Sequence, residues 1–121
     1  MAEKGYRDLR VWQKAINLVP RVYQMMKGFP PEERYELAAQ IRRAVVSVPA
    51  NIAEGQARQH PKEFLQALYI ARGSLAEVET LMIVANRLEY LPAAELRAIE
   101  EEISNVRMPL QGLINALKTK V

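Results

Sequence analysis

The apolar positions in the second half of the chain form two regular ladders. In residues 64–85 the apolar side chains are spaced alternately four and three residues apart, at Phe64, Leu68, Ala71, Leu75, Val78, Met82 and Ala85. A second ladder has the same spacing, at Leu96, Ile99, Ile103, Val106, Leu110, Leu113 and Leu117. Alternating steps of three and four average 3.5 residues, which is typical of helices packed lengthwise against each other. The pattern predicts two long helices that share a core.

Another helix, the first in chain order, is predicted over about residues 8–27. Asp8 suits its N-cap, and Gly28 with the two prolines that follow gives a stop signal. Its predicted inward stripe consists of Leu9, Trp12, Ile16, Val19, Tyr23 and Met26.

The next predicted helix covers about residues 31–54. Pro31 suits a first helical turn, and Gly55 suits the C′ position just past the end. The predicted inward stripe of this helix is Leu37, Ile41, Ala44, Val48 and Ile52.

The two ladders belong to predicted helices at about 61–88 and 93–118, and all connections are short. Short connections favour antiparallel neighbours, so we expect an all-α, up-down-up-down four-helix bundle made of one domain, residues 1–121. Three helices contain an interior proline, namely Pro20, Pro49 and Pro109. Because the apolar stripes continue in phase across Pro20 and Pro109, we predict kinked but continuous helices.

Some apolar residues lie outside these stripes. The third helix in chain order has a second apolar side at Leu65, Tyr69, Ala76 and Ile83, and the second helix adds Val45 and Val46. No helix is central in a four-helix bundle, so a second apolar side predicts a homo-oligomer.

Composition points away from enzymes and membranes. The 121 residues include no Cys and a single His, His60, so thiolate chemistry is excluded and no metal or cofactor site is indicated. Ser47 and Ser74 lack the context of a nucleophile, and the consecutive acids at 100–102 point in different directions on a helix. The longest apolar run is too short to span a bilayer. We therefore expect a non-enzymatic, cytoplasmic protein.

A polar stripe lies beside the apolar stripe of the second helix, at Arg43, Ser47, Asn51, Glu54 and Arg58. One interpretation is a solvated face on which Ser47 or Asn51 bonds the backbone near Pro49. The other is a partly buried network, shared with Arg72 and Glu77 of the third helix, that fixes helix register or a subunit contact.

The first helix carries the most distinctive charge pattern. The formal net charge is +3, yet residues 9–31 contain no Asp or Glu. Arg7, Arg10, Lys14 and Arg21 are spaced by three, four and seven residues, so we expect them along one side of the helix, with Lys27 nearby. These five cations are the candidate phosphate ligands. Such a row predicts binding to RNA or DNA through counterion release. The alternative is a solvated face, or one that pairs with the acidic fourth helix.

Three long segments resemble a known bacterial family. They are YRDLRVWQKAINLVPRVY at 6–23, FPPEERYELAAQIRRAVVSVPANIAEGQAR at 29–58 and EFLQALYIARGSLAEVETLMIVANRLEYL at 63–91. They are similar to the four-helix bundle proteins first found encoded within intervening sequences of large-subunit ribosomal RNA genes. The residues that match its most recognisable motif are Gln40, Arg43, Ser47, Pro49, Asn51, Glu54 and Gly55, and we interpret their role as structural.

The resemblance implies a homopentamer of up-down-up-down bundles and no catalytic residues. Similar bundles serve as accessory subunits of the reverse transcriptases of diversity-generating retroelements. Two functional hypotheses follow. The first is direct binding of RNA or another nucleic acid by basic rows repeated around an oligomer. The second is a scaffold or accessory subunit whose protein partner, such as a reverse transcriptase, binds the nucleic acid.

Overall fold

The computed structural model describes residues 5–121, which contain four α-helices and no β-strand. The helices are α1 (Arg10–Met25), α2 (Leu37–Ala57), α3 (Pro61–Arg87) and α4 (Ala93–Lys118). Short 3₁₀ turns occupy Tyr6–Asp8, Met26–Gly28 and Pro31–Glu33. The all-α prediction is confirmed, while the first four residues of the proposed domain lie outside the described part.

The predicted starts of the first two helices were too early. Asp8 lies in a 3₁₀ turn, and Leu9 occupies the N-cap of α1 without a capping side chain. α2 begins at Leu37 instead of Pro31, because Glu36 adopts a non-helical conformation with φ −110° and ψ −104°. The Glu33 carboxylate accepts a hydrogen bond from the Leu37 backbone N–H at 3.3 Å, which satisfies a free donor of the first turn.

The three interior prolines do not end their helices. α1, α2 and α4 continue through Pro20, Pro49 and Pro109 respectively. The expectation of continuous helices is confirmed, since tertiary packing on both sides of each proline outweighs the lost backbone hydrogen bond.

The core follows the predicted ladders in α2, α3 and α4, but not in α1. Ile16 and Tyr23, predicted to face inward, are 39% and 41% exposed. The buried side chains of α1 are Val11, Ala15, Leu18 and Val22, while Met26, just beyond its end, is buried as predicted. α1 carries two apolar sets offset by about one residue, and hydrophobicity alone could not decide between them. Ile114 similarly replaces the half-buried Leu113 in α4.

α2 and α3 form the most extensive helix pair, and Gly55 lies at a close approach between them. Gly55 is buried within α2, which continues to Ala57, so its predicted place at C′ was wrong. A Cβ at Gly55 would lie 2.5 Å from the Ala67 Cβ and 3.1 Å from Phe64 Cδ1. The glycine is required here by the close approach of α3. Gln59, with φ 55°, adopts the left-handed conformation after α2 ends.

Candidate nucleic-acid interface

The beginning of the basic row is exposed and fixed to the bundle. Arg7 lies in the first 3₁₀ turn, and its carbonyl accepts a 2.8 Å hydrogen bond from the Gln13 side-chain amide. The Tyr6 ring packs edge-on against Trp12, with ring centroids 5.2 Å apart. These contacts join the turn to α1, so Arg7 and the exposed Arg10 are presented by a backbone of defined position.

The middle of the row faces α4. Lys14 and Asn17 line a shallow groove of about 160 Å³ together with Glu102 and Asn105 of α4. Nε of Arg21 donates to the Glu102 carboxylate at 2.8 Å, and both side chains are partly exposed. At Arg21 the alternative interpretation, pairing with the acidic fourth helix, is therefore the one observed. An ion pair this exposed contributes about 0–1 kcal/mol to stability.

Lys27 lies away from the rest of the row. It occupies the 3₁₀ turn after α1 and lines a groove between the end of α1 and the start of α2. The sequence predicted Lys27 near the row but not on its line. Because α1 ends at Met25, Lys27 does not continue the helical spacing of the other four cations.

We call the groove between the end of α1 and the start of α2 the α1–α2 groove, and its volume is about 460 Å³. Its principal lining residues are Tyr23, Lys27, Phe29, Pro30, Arg34 and Arg42, and no acidic residue lines it. Nη2 of Arg42 donates to the Arg34 carbonyl at 2.7 Å, which fixes its guanidinium at the start of α2. Among residues 5–121, none of the three cations has a carboxylate oxygen within 4.0 Å.

Sequence reasoning missed the contributions of Arg34 and Arg42. The two residues stand eight positions apart in a segment that contains Glu32, Glu33 and Glu36, so the local charge looked balanced. Only the bend at Glu36 and the turn at the prolines bring these cations to Lys27. The prolines indicate a turn in the sequence, but no pattern indicates the bend at Glu36 or that these cations meet.

The carboxylate of the nearby Glu33 bonds to two groups that do not line the groove. The Tyr90 hydroxyl donates to one carboxylate oxygen of Glu33 at 2.9 Å, while the other oxygen of Glu33 accepts from Leu37. This hydrogen bond raises the pKa of Tyr90 above 10.0, and burial together with the negative charges of Glu33 and Glu32 raises it further. The Tyr90 ring also lies 5.7 Å from the Phe29 ring. These contacts fasten the α3–α4 connection behind the groove.

The polar stripe of α2 is divided between packing and solvent. The Ser47 and Ser74 hydroxyls lie 2.9 Å apart between α2 and α3, and the Asn51 amide donates to the hydroxyl and carbonyl of Ser47 at 2.9 and 2.8 Å. Arg58 forms ion pairs with Glu54 at 3.9 Å and Glu63 at 3.1 Å near the surface.

The other motif residues take different positions. Gln40 and Arg43 are exposed, whereas Pro49 is buried. Arg72 donates to Gln111 of α4 at 3.1 Å, away from the Ser47–Ser74 pair. The network is therefore partly buried, as the second interpretation expected, but it is smaller than that interpretation supposed.

Residues 5–121 contain no group of three or more His, Cys, Asp or Glu side chains placed to hold a metal ion. In the same part of the chain, no helix is long and apolar enough to cross a bilayer.

Comparisons with known proteins agree with the fold. A family model described as "23S rRNA-intervening sequence protein" matches residues 7–112. A crystal structure of a protein with unknown function from the S23 ribosomal protein family of Bacteroides thetaiotaomicron is similar, with a TM-score of 0.79 and 24% sequence identity. The similarity covers 87% of this chain and 95% of that one, and at this identity it concerns the fold alone. No curated protein matches the chain.

Proposed function

Because the chain belongs to the 23S rRNA-intervening sequence protein family, we propose that it is a non-enzymatic, self-associating bundle that binds RNA through cations on and next to α1. The observation that carries the proposal is the distribution of charge. Residues 9–31 contain no acid, and among the described residues Arg7, Arg10 and Lys14 form no ion pair. Cations without carboxylate partners attract phosphates, and each phosphate contact releases condensed counterions.

Arg21 is compatible with this role although it faces Glu102. The pair is partly exposed, so replacing the carboxylate by an RNA phosphate exchanges one solvated anion for another at little cost. Our proposal places this activity in the cytoplasm and requires no catalytic residue, metal or cofactor.

Self-association would proceed through the outer face of α3. Ile70 and Val84 lie on one face of this helix and Leu88 directly follows its end, and all three are between 38% and 51% exposed. Exposed apolar patches of this kind mark protein interfaces. Of the predicted second apolar side, Leu65 and Val45 are buried in the core, whereas Val46 of α2 is 44% exposed. We propose that a second copy covers this face, within a homopentamer such as the resemblance implies.

The proposed subunit is an up-down-up-down bundle. Contacts between α3 and α4 join Arg72 to Gln111 and Glu79 to Arg107, so numbers rise along one helix as they fall along the other. Repeating a basic surface in each subunit would raise the affinity for an RNA long enough to reach several copies.

The RNA-binding proposal is tested by reversing two charges that have no structural partner. We expect the double variant Arg10→Glu and Lys14→Glu to lose at least tenfold in affinity for a single-stranded RNA, with unchanged helicity. The control is Arg87→Glu with Arg97→Glu, which makes the same change in net charge at exposed positions of α3 and α4. Equal affinities for the wild-type protein and the α1 variant would refute the proposal.

The accessory-subunit hypothesis is a second candidate, supported by the exposed apolar residues of α1. Ile16 and Tyr23 lie outside the core and could contact a protein partner. In that case a partner such as a reverse transcriptase would bind the RNA. An RNA complex that forms only when such a protein is present would favour this candidate.

A further inference from the structure

We propose that the α1–α2 groove holds a single-stranded segment of nucleic acid, with its phosphates on Lys27, Arg34 and Arg42 and a base against Tyr23. This inference rests on the proposed function, because it specifies which form of nucleic acid binds and where.

The charge of the groove favours a polyanion. Three cations line one depression without any acidic lining residue. Arg42 is held by its hydrogen bond to the Arg34 carbonyl, and Glu33 is occupied by Tyr90 and Leu37. Among the described residues, no ion pair joins Lys27, Arg34 or Arg42 to a carboxylate, so these cations are available to a phosphate.

The apolar lining favours a single strand over a duplex. Tyr23 is 41% exposed at the edge of the groove, and Phe29 with Pro30 lines it. Unpaired bases stack on aromatic side chains, whereas a duplex keeps its bases stacked inside and presents chiefly phosphates and sugars. A volume of about 460 Å³ lies within the roughly 300–1,000 Å³ range of small-ligand sites, so it can accept a nucleotide.

The groove is also built to keep its shape. Pro30 and Pro31 restrict the backbone of one wall, and the Glu33–Tyr90 hydrogen bond fastens that wall to the α3–α4 connection. A preformed groove loses less conformational freedom when it binds a flexible strand. An acidic peptide would match the cations but would leave the exposed Tyr23 ring without a stacking partner.

The test uses the full chain with a labelled oligouridylate, an oligothymidylate and an RNA duplex of the same length. We expect the variant Lys27→Gln with Arg34→Gln to bind the single strands at least tenfold more weakly. Tyr23→Leu, which keeps an apolar side chain, should lose about tenfold through the lost stacking. The duplex should be affected less than fivefold by either change.

The salt dependence of the binding constant distinguishes a lost phosphate contact from a structural change, because a structural change alone would not alter its slope. Single-strand binding changes by about 0.7 in the slope of log K against log salt for each phosphate contact. Removing two cations should therefore make the slope shallower by about 1.4. The matched control is Lys62→Gln with Lys120→Gln, two cations that line a separate groove beside His60. It should leave both affinity and slope close to wild type.

Three outcomes would overturn the inference. The first is that the groove variants lose as much affinity for the duplex as for the single strands. The second is that both groove variants keep the wild-type affinity for single strands. The third is that a poly-glutamate peptide at equal charge concentration fully displaces the RNA. If Arg10→Gln with Lys14→Gln weakens binding but the groove variants do not, the groove inference fails while RNA binding by α1 stands. If the wild-type protein binds none of the three probes, the proposed function itself fails.

Discussion

The substitution Gly55→Ala tests the close contact between α2 and α3 at this glycine. Alanine is the better helix former by about 1 kcal/mol, so an unhindered site would become more stable. At Gly55, however, the new Cβ would lie 2.5 Å from the Ala67 Cβ, which is 0.9 Å short of an ordinary contact at 3.4 Å. Neither backbone can move without displacing α2 or α3, and overpacking of this kind costs about 1–3 kcal/mol.

Gly112 offers a matched control within α4. Nothing lies within 4 Å of a Cβ added there, so Gly112→Ala should raise the free energy of unfolding by about 0.5–1 kcal/mol. We expect Gly55→Ala to be less stable than this control by about 1–3 kcal/mol. With a urea m-value of about 2 kcal/mol/M, the unfolding midpoints would differ by about 0.5–1.5 M.

The assay is urea unfolding followed by far-ultraviolet circular dichroism, at several protein concentrations so that any contribution from self-association is recognised. If Gly55→Ala is as stable as Gly112→Ala, the approach of α3 to α2 is looser than the structure indicates. Our explanation for this glycine would then be wrong.

Three further results are expected. The double-mutant cycle of Ser47→Ala and Ser74→Ala should give a coupling energy of about 0.5–1.5 kcal/mol in urea unfolding, and a value near zero would mean that the two hydroxyls do not interact. A phenolate absorbance titration should show Tyr90 titrating above pH 10.0, and the Tyr90→Phe variant, which lacks this signal, assigns it. Glu33→Gln should lower the pKa of Tyr90, and an unchanged pKa would rule out the hydrogen bond to Glu33 as the cause of the shift. Because folding raises this pKa, the associated stabilisation is present below pH 10 and disappears as the pH rises through the folded-state pKa. Ile70→Glu with Val84→Glu should reduce the mass measured by sedimentation equilibrium to that of a monomer, and an assembly of unchanged mass would exclude the α3 face as the interface.

Long-range periodicity made most of the fold predictable. The ladders of α3 and α4 and the stripe of α2 repeat over several turns, so a single irregular residue does not change the inferred face. The inward face of α1 was harder, because the set containing Trp12 and the set containing Leu18 are both apolar and helically spaced. Packing against α2 and α4 selects the second set.

Local features were less predictable because they depend on contacts distant in sequence. A glycine near a helix end suggests a C′ position, and only the presence of Ala67 shows that Gly55 serves close packing instead. The basic row was visible in the sequence, and pairing with the acidic fourth helix was one of its two interpretations, but which cation would pair could not be predicted. Arg21 meets Glu102 across 81 positions, and Lys27 joins Arg34 through a turn that no periodicity describes.

The dependence of RNA affinity on salt examines the proposed function most directly. Binding of a single-stranded RNA to the wild-type protein would be measured by fluorescence anisotropy between 50 and 200 mM salt, roughly the range over which phosphate contacts change affinity most visibly. If phosphates bind the basic row of α1 and the α1–α2 groove, log K should fall linearly with log salt, with a slope of about −2 or steeper for three or more contacts. An RNA affinity independent of salt, or no binding at 50 mM without another protein, would show that these cations do not bind RNA.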